Sequence, residues 1–247
     1  GFVLAAWAIG VLAACILGAS RLRGFDRASL QRAIDWPWIR KGIRVAFPFV
    51  LATLSLRGLY TVDRYWIEAL GGLEQLAAYG LFVGIANAIM SFLDAAVFTF
   101  AYPALIASAG KADRPTFDRQ MRRLGQHTLA VALGLSIAAV ACAGPLIDWL
   151  DRPSYTQHFS LLYWTVLAAA LFGISMIPHY GLYARREDRT IVFSHLASLP
   201  IFLLGALVLI PLIGVAAVPA AMCLAFLFLL LAKLLAFKRC GPLAAPV

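Results

Sequence analysis

The chain has 247 residues, 62% hydrophobic and 13% charged, with a mean hydropathy of +0.85. A soluble domain is about 45–50% apolar and about 25% charged, so the composition excludes an ordinary soluble enzyme or binding module and predicts an all-α integral membrane protein. The net charge of +9 comes from basic residues between apolar runs, where they report membrane orientation rather than a nucleic-acid-binding face. No nucleic-acid partner is expected.

Seven apolar runs approach or exceed the ~20 residues that a crossing helix needs. They fall at about Phe2–Ala19, Val45–Ala69, Leu76–Ser108, Leu124–Leu150, Phe159–Tyr183, Ile191–Ile213 and Val215–Phe237. The chain starts at Gly1 inside the first run, and its first cations, Arg21 and Arg23, follow that run. A signal peptide has the reverse order, so a piece of a longer protein is expected.

The connections alternate in chemistry. Ser20–Arg44 carries Arg21, Arg23, Arg27, Arg32, Arg40, Lys41 and Arg44. Leu30, Ile34 and Trp38 recur there at helical spacing, which predicts an amphipathic helix on the membrane surface, with Trp36 and Trp38 suited to the interface. The Gly71–Gly80 connection has no cation. The next one holds Lys111, Arg114, Arg119, Arg122 and Arg123. Asp151–His158 has only Arg152, the following connection has Arg185, Arg186 and Arg189, and Pro211–Gly214 has none. Lys233, Lys238 and Arg239 close the last run. Eighteen of the 21 lysines and arginines therefore share one side. The positive-inside rule makes that side cytoplasmic, with the visible N-terminus outside and the C-terminus inside a multi-pass protein of the cytoplasmic membrane.

The second run is the unusual one. Arg57, Thr61, Arg64 and Glu68 fall at i, i+4, i+7 and i+11 within it, one face of a helix. Intramembrane charges cost at least ~2.5–3.5 kcal/mol each and usually face a bundle interior or a water-filled cavity, so this stripe predicts a polar pathway for something anionic. Asp63 points to another face, where it caps Arg64 or meets interfacial water. The third run has its own stripe, Asn87, Ser91 and Asp94. At ~1.5 Å rise per residue, Arg57 and Asp94 both lie about 18–20 Å from the cytoplasmic side, so an Arg57–Asp94 pair is expected. Ser175, His179 and Tyr183 share a face of the fifth run. His179 is an ion-coupling candidate there, though a histidine near a helix end is more often a satisfied interfacial residue. His127, His158 and His195 are assigned no role.

Catalytic signatures are missing: there is no HExxH, no Ser/His/Asp order and no Gly-rich phosphate loop, so the chain is not expected to be an enzyme. The four cysteines (Cys15, Cys142, Cys223, Cys240) form no CxxC or Cys/His cluster; no disulfide, metal or cofactor is expected. The triplet Asp63-Arg64-Tyr65 with seven runs evokes a G-protein-coupled receptor, but it lies in the wrong helix and toward the wrong side.

Two stretches carry a family resemblance. Asp63–Phe82, DRYWIEALGGLEQLAAYGLF, resembles the charged outer end of a lobe's first helix, with its re-entering segment, in the polysaccharide-transporter family of the MOP (MATE-like) exporter superfamily. Ile210–Met222, IPLIGVAAVPAAM, is similar to that family's turn between two late helices, with Ala217 where a second glycine is common. The resemblance implies that residues 1–19 are the last helix of an otherwise missing N-terminal lobe. Residues 20–44 would be the basic inter-lobe loop, 45–237 the six-helix C-terminal lobe and 238–247 a cytoplasmic tail. It implies a flippase for a polyprenyl-diphosphate-linked oligosaccharide used in surface polysaccharide such as O-antigen. Membrane lipids and an H+ or Na+ gradient would be its further partners. On that reading Arg57 and Arg64 hold the diphosphate, while Asp94, Glu68, Asn87, Ser91, Thr61 and His179 are the other polar cavity and ion-coupling candidates. The alternatives are a multidrug/cation antiporter of the same fold, whose cavity would be acidic and aromatic, or a non-catalytic membrane subunit or remnant. A membrane polymerase or ligase would need larger outer loops than Asp151–His158.

Overall fold

A computed structural model describes residues 2–21 and 35–241, and every regular element among them is helical. The chain divides into two compact units, Gly1–Val45 and Ala46–Val247. In the first, helix α1 (Phe2–Arg21) is apolar up to Ser20, and Trp7, Leu12 and Leu17 lie exposed on it. The surface helix expected around Leu30 and Ile34 lies outside the described residues, as does most of the expected tail.

Helix α2 (Trp36–Leu93) starts nine residues before the apolar run does. The Trp38 N–H donates to the Asp35 carboxylate at 3.0 Å, an N-cap with Pro37 just inside, where its missing N–H costs nothing. Hydropathy marks the part of a helix that meets lipid; capping marks where the helix begins. The same difference recurs at α4 (Arg114–Leu150), which the apolar run placed from Leu124. There Asp113 caps by accepting from the Thr116 N–H at 3.1 Å. Hydrogen bonding from Thr116, its side chain first and this backbone N–H second, holds the exposed Asp113 carboxyl below the usual carboxylate range.

Two glycines break long helices. Gly72, at φ 74 and ψ −177, interrupts α2 in a conformation that side chains rarely adopt. The chain reverses there: Tyr79 Oη donates to Asp63 Oδ2 at 2.8 Å, whereas 16 residues of straight helix would span ~24 Å. Gly214, at φ 58, ends α7 (Asp188–Ile213). A short 3₁₀ turn then leads into α8 (Ala217–Arg239). Gly205 and Ala221 pack across this second reversal, close enough that a Cβ on Gly205 would stand 3.5 Å from that of Ala221.

Between these elements, α2 passes through a π-helical turn (Asp94–Phe98) into α3 (Thr99–Gly110). A short helix, α5 (Pro153–Gln157), occupies the connection after α4 and precedes α6 (Ser160–Ala184). Four continuous helical stretches, Trp36–Gly110, Arg114–Leu150, Ser160–Ala184 and Asp188–Arg239, are long and apolar enough to cross a membrane.

The core of the second unit is built around α8. Its first half is small (Ala217, Ala220, Ala221, Cys223, Ala225) and buried, so neighbouring backbones approach closely; Phe226 and Leu229 then fill the layer below. Phe226 packs against Tyr60 and Phe172 with centroids 5.8 and 5.0 Å away, and Trp66 stacks on Phe202 at 5.7 Å. Facing outward are Phe100, Trp149, Leu133, Ile137, Leu204 and Leu212. An apolar core under an equally apolar outer surface is the arrangement of a membrane-embedded protein, because lipid-facing side chains have no water to avoid.

Candidate functional site

Polar groups of the second unit occupy an open face, a buried carboxylate and a buried group of nitrogens. The open face carries the expected stripe: Arg57, Thr61, Arg64 and Glu68 are all exposed on α2, and Asn87, Ser91 and Asp94 are exposed farther along the same chain segment. Several of the hydroxyls are already engaged. Thr61 Oγ1 donates to the Arg57 carbonyl at 2.9 Å, and Ser91 Oγ to the Asn87 carbonyl at 3.0 Å. The two arginines are therefore the strong donors left on this face.

The expected Arg57–Asp94 pair is not formed. Among the described residues the side-chain ion pair is Arg114–Asp118, at 3.7 Å. Asp94 instead opens the π-helical turn, where its carbonyl accepts from Thr99 Oγ1 at 2.7 Å. Equal depth on adjacent helices is not contact; the rotation of each helix decides that, and the wide turn alters the rotation at Asp94.

Asp63 departs further from expectation. It has no exposed surface, and its carboxylate accepts from Tyr79 Oη at 2.8 Å and from the Arg64 backbone N–H at 2.7 Å. The capping of Arg64 is as expected; the interfacial water is not, since Tyr79 Oη takes its place. The Tyr79 hydroxyl also lies 3.3 Å from Met222 Sδ. Beside this group is a cavity of about 20 Å³ with Tyr60, Tyr79, Asn87, Thr165 and Met222 in its wall, room for a single water with polar partners. Asn87 thus lines the same small cavity as Tyr79, the partner of the buried carboxylate. The signal for Asp63 was present in the spacing: it sits four residues from both Leu59 and Ile67, which are fully buried.

The third group lies among α6, α7 and α8. His179 belongs here rather than with the arginine stripe. Its ring lies parallel to that of His195, with centroids 5.7 Å apart and planes 15° apart. Lys233 is completely buried within electrostatic reach of both. Lys233 counted in the sequence only as an orientation-setting cation, and His195 was assigned nothing. Yet Phe226, Leu229 and Lys233 fall at i, i+3 and i+7 on the buried face of α8, a pattern that marks a core position whatever its residue type.

Among the described residues no three His, Cys, Asp or Glu side chains come together as a metal site. Cys15 and Cys142 are exposed, Cys240 is half-buried and Cys223 is buried, all as free thiols. No family model, curated protein or solved structure matches the chain.

Proposed function

We propose that this chain is the C-terminal lobe of a flippase that moves a polyprenyl-diphosphate-linked oligosaccharide across the cytoplasmic membrane. In this reading the helices make about seven spans, with the visible N-terminus outside and the C-terminus in the cytoplasm. The uncovered stripe of α2 faces a central cavity completed by a second lobe. One observation carries the reading: Arg57 and Arg64 stand without an ion pair on an exposed face of α2, while Asp63 on another face is bonded into the core. A lipid-facing arginine is costly, and an open cationic face in a membrane protein is best explained by an anionic ligand.

Arginine suits a diphosphate. Its guanidinium stays charged when desolvated and presents a planar fork that matches phosphate oxygens bidentately. Seven residues separate the two side chains by ~10 Å along the axis, so a head group can be handed from one to the other as access changes sides. Glu68, Asp94, Asn87 and Ser91 are exposed as well and would contact sugar hydroxyls or a coupling ion.

The test is export of surface polysaccharide by cells that carry Arg57→Ala or Arg64→Ala. Each should abolish export at normal membrane abundance, and Arg→Lys should restore it only in part, because lysine keeps the charge and loses the fork. Full export by Arg57→Gln/Arg64→Gln at normal abundance would overturn the proposal.

A further inference from the structure

Four buried side-chain nitrogens in the second unit have no hydrogen-bond partner. Arg185 Nε belongs to a guanidinium flanked by the Phe117 and Phe237 rings, which leaves Lys233 Nζ, His179 Nδ1 and His195 Nε2. They belong to three helices, at matching heights. His179 is five residues before the end of α6, His195 seven after the start of α7, and Lys233 six before the end of α8. At ~1.5 Å per residue all three lie about 7–11 Å inside the same end of the bundle.

Such a cluster is expensive. A buried ammonium without a partner is among the most unfavourable groups a protein can hold, and buried polar groups are normally bonded. The neighbouring hydroxyls of Ser194 and Ser198 donate to the Ile191 and His195 carbonyls at 2.9 and 2.7 Å, and neither accepts from Lys233 Nζ. Nor does any carboxylate form an ion pair with Lys233 among the described residues. Loss of a proton would not cure the deficit at Lys233, because a neutral amine still carries N–H groups and neither imidazole nitrogen is within hydrogen-bond distance to accept from it. What Lys233 lacks is an acceptor within reach, and one with negative charge offsets the ammonium as well.

We propose that Lys233, His179 and His195 form a binding site for a single halide-sized anion. Burial favours the smallest occupant: Lys233 has no exposed surface, so a single-atom anion displaces fewer side chains than a carboxylate or sulfate. The nearest open space is at the bundle end. A cavity of about 500 Å³ opens there, lined by Leu182, Glu187, Thr190, Ala232, Ala236 and Arg239 among others, next to Lys233 along α8. That end also carries Arg185, Arg186, Arg189 and Lys238 against Glu187 and Asp188, a cationic mouth that concentrates anions. A halide held here would tie α6, α7 and α8 together at one end.

The experiment is thermal unfolding of the purified protein in nanodiscs at constant ionic strength, in chloride, bromide or gluconate. The wild-type protein should melt several degrees higher in either halide than in gluconate, since a ligand held only by the folded state stabilises it. Lys233→Met should remove that difference while melting in gluconate no lower than wild type, because an apolar side chain replaces an unpaired charge. Equal melting of the wild type in all three salts, or a full halide shift in Lys233→Met, would overturn the site. If Lys233→Met does not fold, the ³⁵Cl NMR line width decides on the wild type alone. Broadening that bromide reverses supports the site, and its absence rejects it. No export assay enters, so this outcome is independent of the flippase reading.

Discussion

Asp63 and Arg57 lie six residues apart on one helix and meet opposite fates. Asp63 is enclosed, and its two donors, Tyr79 Oη and the Arg64 N–H, account for its tolerance in the core. Tyr79→Phe should therefore destabilise the protein by about 1–3 kcal/mol, the cost of a buried charged acceptor losing a partner. Combined with Asp63→Asn, its effect should fall short of the sum, as melting of the two single variants and the double variant would reveal. Arg57 and Asp94 make the contrasting case. With no ion pair between them, Arg57→Ala and Asp94→Ala should add to within about 0.5 kcal/mol in the same kind of cycle. A coupling well above that would mean that the two side chains meet.

At the scale of elements, the reversals and close approaches depend on glycine for two different reasons. At Gly72 the reason is backbone conformation: an added Cβ would meet nothing within 4 Å, but φ is +74. Gly72→Ala should cost about 1–3 kcal/mol through backbone strain alone and lower the melting temperature without loosening any packed layer. At Gly181 the reason is space. A Cβ there would stand 2.5 Å from Phe237 Cε2 and 3.0 Å from Met121 Cε. Phe237 is also one of two rings, with Phe117, that flank the Arg185 guanidinium, at 4.9 and 5.1 Å. Gly181→Val should thus push α8 and α4 away from α6, with a loss of about 1–3 kcal/mol from overpacking, and raise amide exchange in the last turn of α8. The Asp113 cap responds to pH. Its folded carboxyl lies below the usual range, so its stabilisation is present above the unfolded carboxylate pKa and is lost as pH falls through the folded value.

At the scale of the whole molecule, the strongest expectation is orientation. In a background lacking Cys15, Cys142, Cys223 and Cys240, single cysteines at Glu74 or Thr156 should react with an impermeant thiol reagent added outside intact cells. Those at Lys111 or Glu187 should react only after permeabilisation. Labelling of Lys111→Cys from outside would reverse the topology and exchange the two faces of the proposed pathway. The cationic mouth near Lys233 would move with it, facing out rather than the cytoplasm.

Composition and apolar run length were enough to predict a helical chain with helices long and apolar enough to cross a membrane, because the bilayer demands long apolar segments whose backbone bonds are satisfied within the helix. Spacing was enough to put Arg57, Thr61, Arg64 and Glu68 on one face, since helical periodicity is local. The reversals at Gly72 and Gly214 also fall where the sequence placed connections, between apolar runs and at residues free to take positive φ. Tertiary structure alone decided which face of each helix is covered. Asp63 and Lys233 are charged, and composition assigns charged residues to a pathway or a rim, yet each sits on a stripe enclosed by partners far away in sequence. The pairing of Arg57 with Asp94 failed for the same reason. Depth along a helix follows from counting residues, whereas rotation about its axis is fixed by packing among helices that a single chain segment does not contain.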